Sequence, residues 1–396
     1  MQDKQTKKSY ALKEMSKLKI IDKKSIKSIK SELELLSNLE SPYIVNMHFA
    51  FQDKENLYLV MDFLSGGDLR FHISRHKKFS EEQTRFFICG LILSLEYIHS
   101  NNIIHRDIKP ENLVLENNGY LRVTDFGIAK KIGPNPHVET SGTPGYMAPE
   151  VMKSLNHSFC ADFFAVGVMG YEFMKGERPY LGKNRKEIRE QMFSLEIQLD
   201  NDDLPEDWVD DNIIDFINHL LVRKKKKRLG YKSDVEVKNH PYFKNIPWAE
   251  LENMTFESPF VFDTEDNFDD SYAQKQDNDS IYEGNKELYI FDVNNSLIFK
   301  DFYFNIEDRL IQEKEGEKEG QERETKTRTH FTSKTSNKKI GDDSPIVIHP
   351  TKKNSRKSAV FKGIEVKDDN KVVKVMRKNV RSGSMLLNIN LNRSQE

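Results

Sequence analysis

The chain has 396 residues, of which 37% are hydrophobic and 31% are charged, and its formal net charge is -2. This length allows two folded units or one large unit with tails, and the high charged fraction indicates that part of the chain is solvated and not packed. The near-neutral balance argues against a uniformly basic nucleic-acid binder, and a total of two cysteines, Cys89 and Cys160, excludes a disulfide scaffold and favours a reducing compartment.

The first 63 residues predict a small sheet and one helix. Strand-like runs occur at 10–13, 45–51 and 57–63, the last two joined by a polar turn. Between them, residues 23–39 predict an amphipathic helix, because apolar residues recur at helical spacing. These residues are Ile26, Ile29, Leu33 and Leu36.

From residue 80 onward the pattern becomes mainly helical. A capping box at 80–83 (SEEQ) opens a long apolar helix that we expect to end near His99. Two short strands, 113–115 and 120–123, follow with Gly119 in the turn between them. Residues 162–175 are almost wholly apolar and predict a buried helix closed by Gly176. The order indicates an α+β protein with a small sheet-rich lobe before a larger helical lobe.

Composition changes sharply near residue 305. Residues 313–320 read EKEGEKEG, and residues 326–396 carry 17 Lys+Arg against 6 Asp+Glu, so this tail has a net charge of +11 and the first 325 residues carry -13. We therefore expect 306–396 to be mostly disordered, with a short element around 372–376 left open.

No segment predicts a membrane span or a secretory leader. The longest apolar run, 86–93, is far shorter than the about 20 residues that a spanning helix needs, and the polar N-terminus lacks an apolar core. We expect a cytoplasmic protein, with the nucleus left open.

Three segments carry the most specific chemistry. Residues 105–112 read HRDIKPEN, residues 125–127 read DFG, and residues 142–150 read GTPGYMAPE. In order and spacing they match the catalytic loop, the metal-binding triplet and the end of the activation segment of protein kinases. The chain resembles a eukaryotic protein kinase over about residues 1–304, which implies a bilobal fold.

The resemblance implies a role for each catalytic residue. Asp107 would accept the proton of the substrate hydroxyl, and Lys109 would neutralise charge on the transferring phosphoryl group. Asn112 and Asp125 would supply the oxygen ligands that Mg²⁺ prefers. Lys109, together with Gly-Thr-Pro before Ala-Pro-Glu, resembles the serine/threonine class.

The resemblance also implies an ATP site. Lys13 would hold the phosphates and pair with Glu32, although an isolated Lys–Glu pair is more often a weak surface contact. The 19-residue separation and the position upstream of 41–45 (SPYIV) favour the functional interpretation. The remaining cofactor-binding residues would contact adenine, the ribose or the nearby cleft: Ala11, Met61, Asp62, Leu64, Asp68, Val114, Thr124 and Phe268.

The region after Arg228 resembles the AGC-type kinases, to which the cyclic-nucleotide-dependent kinases belong. Residues 240–244 (HPYFK) and 258–260 (SPF) resemble the end of that domain, and 265–270 resembles the tail segment in which Phe268 would lie against adenosine. Residues 299–304 (FKDFYF) resemble its hydrophobic motif, with Tyr303 at the usual Ser/Thr position.

The resemblance divides the chain into three predicted parts. We predict a kinase domain over 1–243, with lobes 1–62 and 63–243, an AGC-type extension over 244–305, and the charged tail over 306–396. Glu150 would pair with Arg228, and Asp162 would hold the catalytic loop.

Substrate preference is predicted from charge. By resemblance, Asp68, Glu111 and Glu172 would bind arginine side chains before the target Ser/Thr, since carboxylates bind guanidinium groups by bidentate, charge-assisted bonds. We expect protein substrates with Arg or Lys at positions -3 and -2, no metal beyond Mg²⁺, and no nucleic-acid partner; a regulatory partner is not identified.

The absence of a glycine-rich loop departs from the family pattern. None of the twelve residues before Lys13 is glycine, so the first strands and the loop over the phosphates are lacking, and weak ATP binding is expected. Either the chain is N-terminally truncated or its small lobe is naturally degraded. The intact Lys13, Asp107, Asn112 and Asp125 favour truncation; the alternative function is a non-catalytic kinase-like scaffold, a pseudokinase.

A second departure lies in the activation segment, where Glu139 stands at the usual phosphothreonine position. Its carboxylate would pair with Arg106 and replace part of a phosphate's charge, or it is simply a solvated loop residue. Thr140, Ser141 and Thr143 complete the predicted regulatory set.

Overall fold

The computed structural model describes residues 1–133, 139–156, 158–262 and 297–311, and the backbone of 388–389. Within these ranges the chain divides into two compact units: residues 1–304 belong to the first, and residues 305–311, helical over 306–311, belong to the second. The predicted segments at 265–270, with Phe268, and at 313–320 and 372–376 lie outside the described residues.

The first unit mixes short strands with helices, as predicted for an α+β fold. Its strands are β1 (Gln2–Asp3), β2 (Tyr10–Ser16), β3 (Met47–Gln52), β4 (Asn56–Asp62), β5 (Ile103–Ile104), β6 (Leu113–Leu115), β7 (Leu121–Val123) and β8 (Lys130–Lys131). Its α-helices are α1 (Lys17–Asp22), α2 (Ile26–Asn38), α3 (Leu69–His76), α4 (Glu81–Ser100), α5 (Pro149–Met152), α6 (Cys160–Lys175), α7 (Arg185–Ser194), α8 (Asn212–Leu220), α9 (Asp234–Lys238) and α10 (Trp248–Glu252). Strands β9 (Phe304–Asn305) and β10 (Asn388–Ile389) each contain one residue of the first unit and one of the second. None of the described helices is long and apolar enough to cross a membrane.

The small sheet places Lys13 in the middle of a strand. Strand β2 pairs antiparallel with β4 along its whole length, and β4 pairs with β3 on its other side. Lys13 lies opposite Leu59, and Ala11 lies opposite Met61. The prediction that the strand ends at Lys13 is therefore wrong, because the ladder with β4 continues to Ser16.

The predicted helix over 23–39 is shorter and has an additional helix before it. Helix α1 begins after Ser16, whose hydroxyl accepts the Lys19 amide, and the backbone at Lys24 then takes a left-handed conformation with φ of 55°. This turn separates α1 from α2. Helix α2 buries Glu32 beside Leu35 and Leu36.

The helical lobe forms around two long helices, and both follow the sequence prediction. The Ser80 capping box is present, with the Ser80 hydroxyl accepting the Gln83 amide at 3.2 Å and the Gln83 side chain accepting the Ser80 amide at 3.1 Å. Helix α6 ends at Gly176, where φ of +79° suits glycine. Helix α8 packs closely on α6, because a Cβ at Gly167 would lie 2.7 Å from Leu220 Cβ.

Aromatic residues of the predicted extension are buried in the first unit. Phe260 makes edge-to-face contacts with Phe79 and Phe87. Phe299 and Phe302 are buried, and the Gln52 side chain donates to the Phe299 carbonyl. The remaining chain between these two clusters is not described.

A buried ion pair links the predicted activation segment to the helical lobe. The Arg228 guanidinium donates to both oxygens of Glu150, at 2.6 and 2.8 Å, and to the Cys160 carbonyl at 3.0 Å. The Arg228 side chain is 0% exposed. Because a buried charge is costly without its partner, loss of either member of this pair should destabilise the fold.

We predict that Glu150→Gln lowers the free energy of unfolding by about 3 kcal/mol, because it leaves the buried Arg228 charge without its carboxylate. Urea denaturation of both proteins measures the difference. Glu190→Gln is the matched control, since its pair with Lys186 spans 3.9 Å between exposed side chains and its loss should change the free energy by less than about 0.5 kcal/mol. Equal effects of the two substitutions would contradict the prediction.

Candidate active site

The segment 105–112 is held in place by a carboxylate beneath it. Asp162, near the start of α6, accepts the backbone amides of His105 at 2.9 Å and Arg106 at 2.8 Å. Its second hydrogen-bond partner on Oδ2 is His99 Nε2 of α4 at 3.0 Å, and His99 Nδ1 reaches Asp234 at 2.8 Å. Asp162 lies where the sequence predicts, but the supporting role of His99 was missed.

Asp107 is surrounded by donors. Its Oδ1 accepts the Thr143 amide at 2.9 Å and the Thr143 hydroxyl at 2.8 Å, and its Oδ2 lies 2.7 Å from Lys109 Nζ. Burial acts to raise the pKa of Asp107, but hydrogen bonds from Lys109 and Thr143 outweigh burial and hold the pKa below its ordinary value. The carboxylate therefore remains ionised at neutral pH, as an acceptor must.

Thr143 has a role that its sequence position did not indicate. It was grouped with the regulatory residues, yet its hydroxyl also accepts a hydrogen bond from Lys109 at 2.9 Å. It therefore connects the loop at 139–143 directly to Asp107 and Lys109. A threonine between Gly142 and Pro144 offers no sequence signal for such a contact.

Asn112 and Asp125 fit a magnesium ion by their chemistry. The Asn112 amide nitrogen donates to the Asp107 carbonyl at 2.8 Å and to Asp107 Oδ2 at 3.2 Å, which leaves the amide oxygen as a ligand. Asp125 is 48% exposed and is held with φ of +62°, a strained conformation for a residue other than glycine. A hard amide oxygen and an ionisable carboxylate are the ligand types that Mg²⁺ prefers.

Lys13 connects the sheet to these groups. Its Nζ lies 2.7 Å from Glu32 Oε1 and 3.6 Å from Asp125 Oδ1. Burial acts to lower the pKa of Lys13, but Glu32 and Asp125 together raise it above its ordinary value. Lys13 therefore stays protonated at neutral pH. The predicted Lys13–Glu32 pair is formed.

A cavity of about 230 Å³ lies beside Lys13. Its lining includes Met61, Thr124 and Asp125 from the predicted site, together with Val45. Ala11 lies opposite Met61 in the β2–β4 ladder, and Met61 lines this cavity.

The other predicted adenine contacts are not among the residues that line this cavity. Asp62 and Leu64 line a second cavity of about 440 Å³. The Asp62 carboxylate is bound by His48 at 2.7 Å and by Arg122 at 3.0 Å. Burial acts to raise its pKa, but hydrogen bonds from His48 and Asn46 outweigh burial and hold the pKa at about 2. The Asp62 side chain therefore stabilises the sheet and is not available to a nucleotide. Val114 of β6 bridges to Asp68.

Glu139 contacts the residue predicted from the sequence. Its carboxylate lies 3.3 Å from Arg106 Nη1 and 2.9 Å from Lys130 Nζ. The Lys130 hydrogen bond is the main reason that the pKa of Glu139 is lowered. Of its predicted neighbours, the Thr140 hydroxyl contacts that of Ser154, and the Ser141 hydroxyl is buried without a hydrogen-bond partner in the described residues.

Two of the three carboxylates predicted to bind substrate arginine, Glu111 and Glu172, already hold an arginine of this chain. Arg70 Nε lies 2.9 Å from Glu111 Oε1, and Arg70 Nη1 lies 2.9 Å from Glu172 Oε1. Asp68 caps α3 by accepting the Phe71 amide at 2.9 Å. Arg70 was missed at the sequence level, although an arginine two residues after a predicted acidic substrate residue is a detectable signal.

The chain is similar to known protein kinases. Residues 1–243 match the family model described as protein kinase domain. A probable serine/threonine-protein kinase of Dictyostelium discoideum is 39% identical over 282 residues, covering 69% of this chain and 60% of the relative. The serine/threonine-protein kinase sgk-1 of Caenorhabditis elegans is 35% identical, covering 69% and 58%. The cAMP-dependent protein kinase catalytic subunit of Dictyostelium discoideum is 32% identical, covering 69% and 42%. The chain thus spans less than two thirds of the length of these relatives.

We predict that the support beneath the catalytic loop weakens as pH rises. Burial acts to lower the pKa of His99, but hydrogen bonds from Asp162 and Asp234 raise it to about 9 from an ordinary 6.5. Because the folded pKa is the higher one, the stabilisation is complete below about pH 6.5 and is lost as pH rises through about 9. Urea denaturation between pH 6 and 9.5 should show a falling free energy of unfolding.

His99→Gln should make that slope shallower, because the titrating group is gone. The matched control is His219→Gln, since the His219 side chain is 53% exposed and lies on the surface of α8. An unchanged slope in His99→Gln, or an equal change in His219→Gln, would show that other groups cause the pH dependence.

Proposed function

Because this chain belongs to the protein kinase family, we propose that it transfers the γ-phosphoryl group of ATP to Ser or Thr hydroxyls of protein substrates. The matched relatives are named serine/threonine kinases, and they include Sgk-type and cAMP-dependent kinases. These names confirm the AGC-type resemblance recognised in the sequence.

One observation carries the proposal: the Asp107 carboxylate is held by Lys109, Asn112 and Thr143 in a single cluster. In this arrangement Asp107 accepts the proton of the attacking hydroxyl and orients its oxygen. Lys109, 2.7 Å from Asp107, is placed to offset negative charge on the transferring group.

The residues around Asp107 would bind the nucleotide. Protein kinases use ATP, which supplies the phosphoryl group, together with Mg²⁺, which neutralises the phosphate oxygens. Asn112 and Asp125 would hold the metal, and Lys13, positioned by Glu32, would bind phosphate oxygens. Met61, Ala11 and Val114 would provide the apolar walls for adenine.

The predicted division of the chain supports the same function. We propose a kinase domain over 1–243, an extension over 244–305 and a charged tail over 306–396. Burial of Phe260, Phe299 and Phe302 in the first unit supports an extension that packs on the kinase domain. Both free thiols, Cys89 and Cys160, are buried, which agrees with the proposed cytoplasmic location.

The proposed substrates are proteins with basic residues before the target Ser/Thr. Asp68, Glu111 and Glu172 form an acidic group near the catalytic loop, and the first 325 residues carry a net charge of -13. Both features favour basic peptides. Nothing in the described residues favours the scaffold alternative.

We predict that Asp107→Asn reduces kcat on a Ser peptide with upstream Arg by about 10²- to 10⁴-fold, because the group that accepts the proton is lost. A phosphorylation assay with ATP and Mg²⁺ measures it. Asp202→Asn, an exposed residue remote from the loop, is the control and should retain full rate. If the unaltered chain binds ATP but transfers no phosphate to any peptide, the scaffold alternative replaces the proposal.

We predict that Glu139→Ala lowers kcat by about two- to fivefold, the range expected from loss of a partly exposed ion pair with Arg106. The same peptide assay measures it. Thr140→Ala and Ser141→Ala separate this effect from phosphorylation of the adjacent hydroxyls and should leave the rate of unphosphorylated protein unchanged. Full activity of Glu139→Ala would contradict the prediction and support the alternative that Glu139 is only a solvated loop residue.

A further inference from the structure

Arg70 occupies a site that is shaped for a guanidinium group. It lies in the first turn of α3, while Glu111 lies within the catalytic loop and Glu172 lies in α6. The Glu172 carboxylate receives two bonds from Arg70, at 2.9 Å from Nη1 and 3.3 Å from Nη2. Nε of the same guanidinium donates to Glu111 at 2.9 Å. All three guanidinium nitrogens therefore donate to carboxylate oxygens.

The tyrosine of the segment 142–150 completes this site. The Tyr146 hydroxyl donates to Glu172 Oε2 at 2.6 Å and also contacts Arg70 Nη2. The Glu172 side chain is 4% exposed and that of Arg70 is 16% exposed. A carboxylate this deeply buried requires a positive partner, and Arg70 supplies it within the chain.

We propose that Arg70 is a built-in occupant of the Glu111–Glu172 guanidinium site and removes one of the two upstream basic positions from the substrate specificity. This inference rests on the proposed kinase function. The substrate class becomes Ser/Thr peptides with one required basic residue, bound at Asp68, in place of the two that the three carboxylates imply.

A substrate arginine gains no net interaction at this site, because it replaces the interactions that Arg70 already makes. A substrate arginine that enters this site must displace Arg70 from the same oxygens and leave the displaced guanidinium to water. The bonds gained and lost are of one kind, so the discrimination between Arg and Ala at that substrate position is small. Asp68 differs, because its Oδ1 accepts a backbone amide and no described cation forms an ion pair with its carboxylate.

The first experiment compares four Ser peptides that carry Arg or Ala at positions -3 and -2. For the unaltered chain we expect kcat/KM to rise at least tenfold with Arg at one position and by less than threefold at the other. For Arg70→Ala we expect a rise of at least tenfold at each position. A tenfold rise at both positions in the unaltered chain, or no new preference in Arg70→Ala, would overturn the proposal.

Arg75→Ala is the matched control. It removes the same charge from the same helix, but Arg75 lies over the Phe71 ring, at 4.3 Å from its centroid. Its peptide preference should equal that of the unaltered chain, and a gained second preference would show that net charge, and not occupancy of the site, sets specificity.

Two further measurements keep the test decisive. If Arg70→Ala does not fold, Arg70→Gln retains a donor to Glu172 without the guanidinium, and the same preference is expected. Addition of ethylguanidinium should raise the melting temperature of the Arg70→Ala or Arg70→Gln protein and leave that of the unaltered chain unchanged, since only the variants have the site open. Equal shifts would contradict the proposal.

A binding experiment separates this inference from the proposed function. Fluorescence anisotropy with the same four labelled peptides, on Asp107→Asn with and without Arg70→Ala, needs no turnover. The Asp107→Asn protein should bind more tightly when Arg stands at one of the two positions only. The protein that also carries Arg70→Ala should bind more tightly with Arg at either position. If they appear while the unaltered chain shows no kinase activity, the proposed function fails and the inference stands; if activity is present but the preferences are absent, the inference fails alone.

Discussion

The buried carboxylate of Asp162 is the constraint on which the candidate active site depends. It is 1% exposed, and it accepts two successive backbone amides, those of His105 and Arg106. The position of Asp107, one residue later, follows from these two bonds. Burial acts to raise the pKa of Asp162, while the His99 hydrogen bond holds it below its ordinary value, so the carboxylate stays charged and the loop stays fixed.

The same principle recurs throughout the first unit: an acid of low exposure is paired with a cation, and three of the four cations come from a distant part of the chain. The pairs are Lys13–Glu32, Lys109–Asp107, Arg228–Glu150 and Arg70–Glu172. Each pair costs desolvation and contributes position more than stability. Three of these pairs serve to arrange a loop or a helix around the cleft. The fourth, at Arg70, gives the buried Glu172 carboxylate of α6 a positive partner.

Sequence reasoning succeeded where chemistry depends on short, ordered motifs and failed where it depends on pairing across the fold. The Lys13–Glu32 contact and the Glu150–Arg228 contact were predicted, because spacing within a recognised pattern specifies them. The end of β2 was misplaced, since strand length is set by the partner strand β4. Asp62 was predicted as part of the segment beside adenine, and the sequence did not indicate that its side chain binds His48 and Arg122, neither of which is adjacent in sequence.

The sequence by itself determined the fold family and the order of the lobes, because the motifs at 105–112, 125–127 and 142–150 require particular side chains at particular separations. Tertiary structure alone decided which charged side chains pair with one another. Glu172 lies in an apolar helix and Arg70 lies 102 residues earlier, and only the packing of α3 against the catalytic loop and α6 brings them within 2.9 Å. Charge partners follow from distance in space, which a pattern of residue types does not encode.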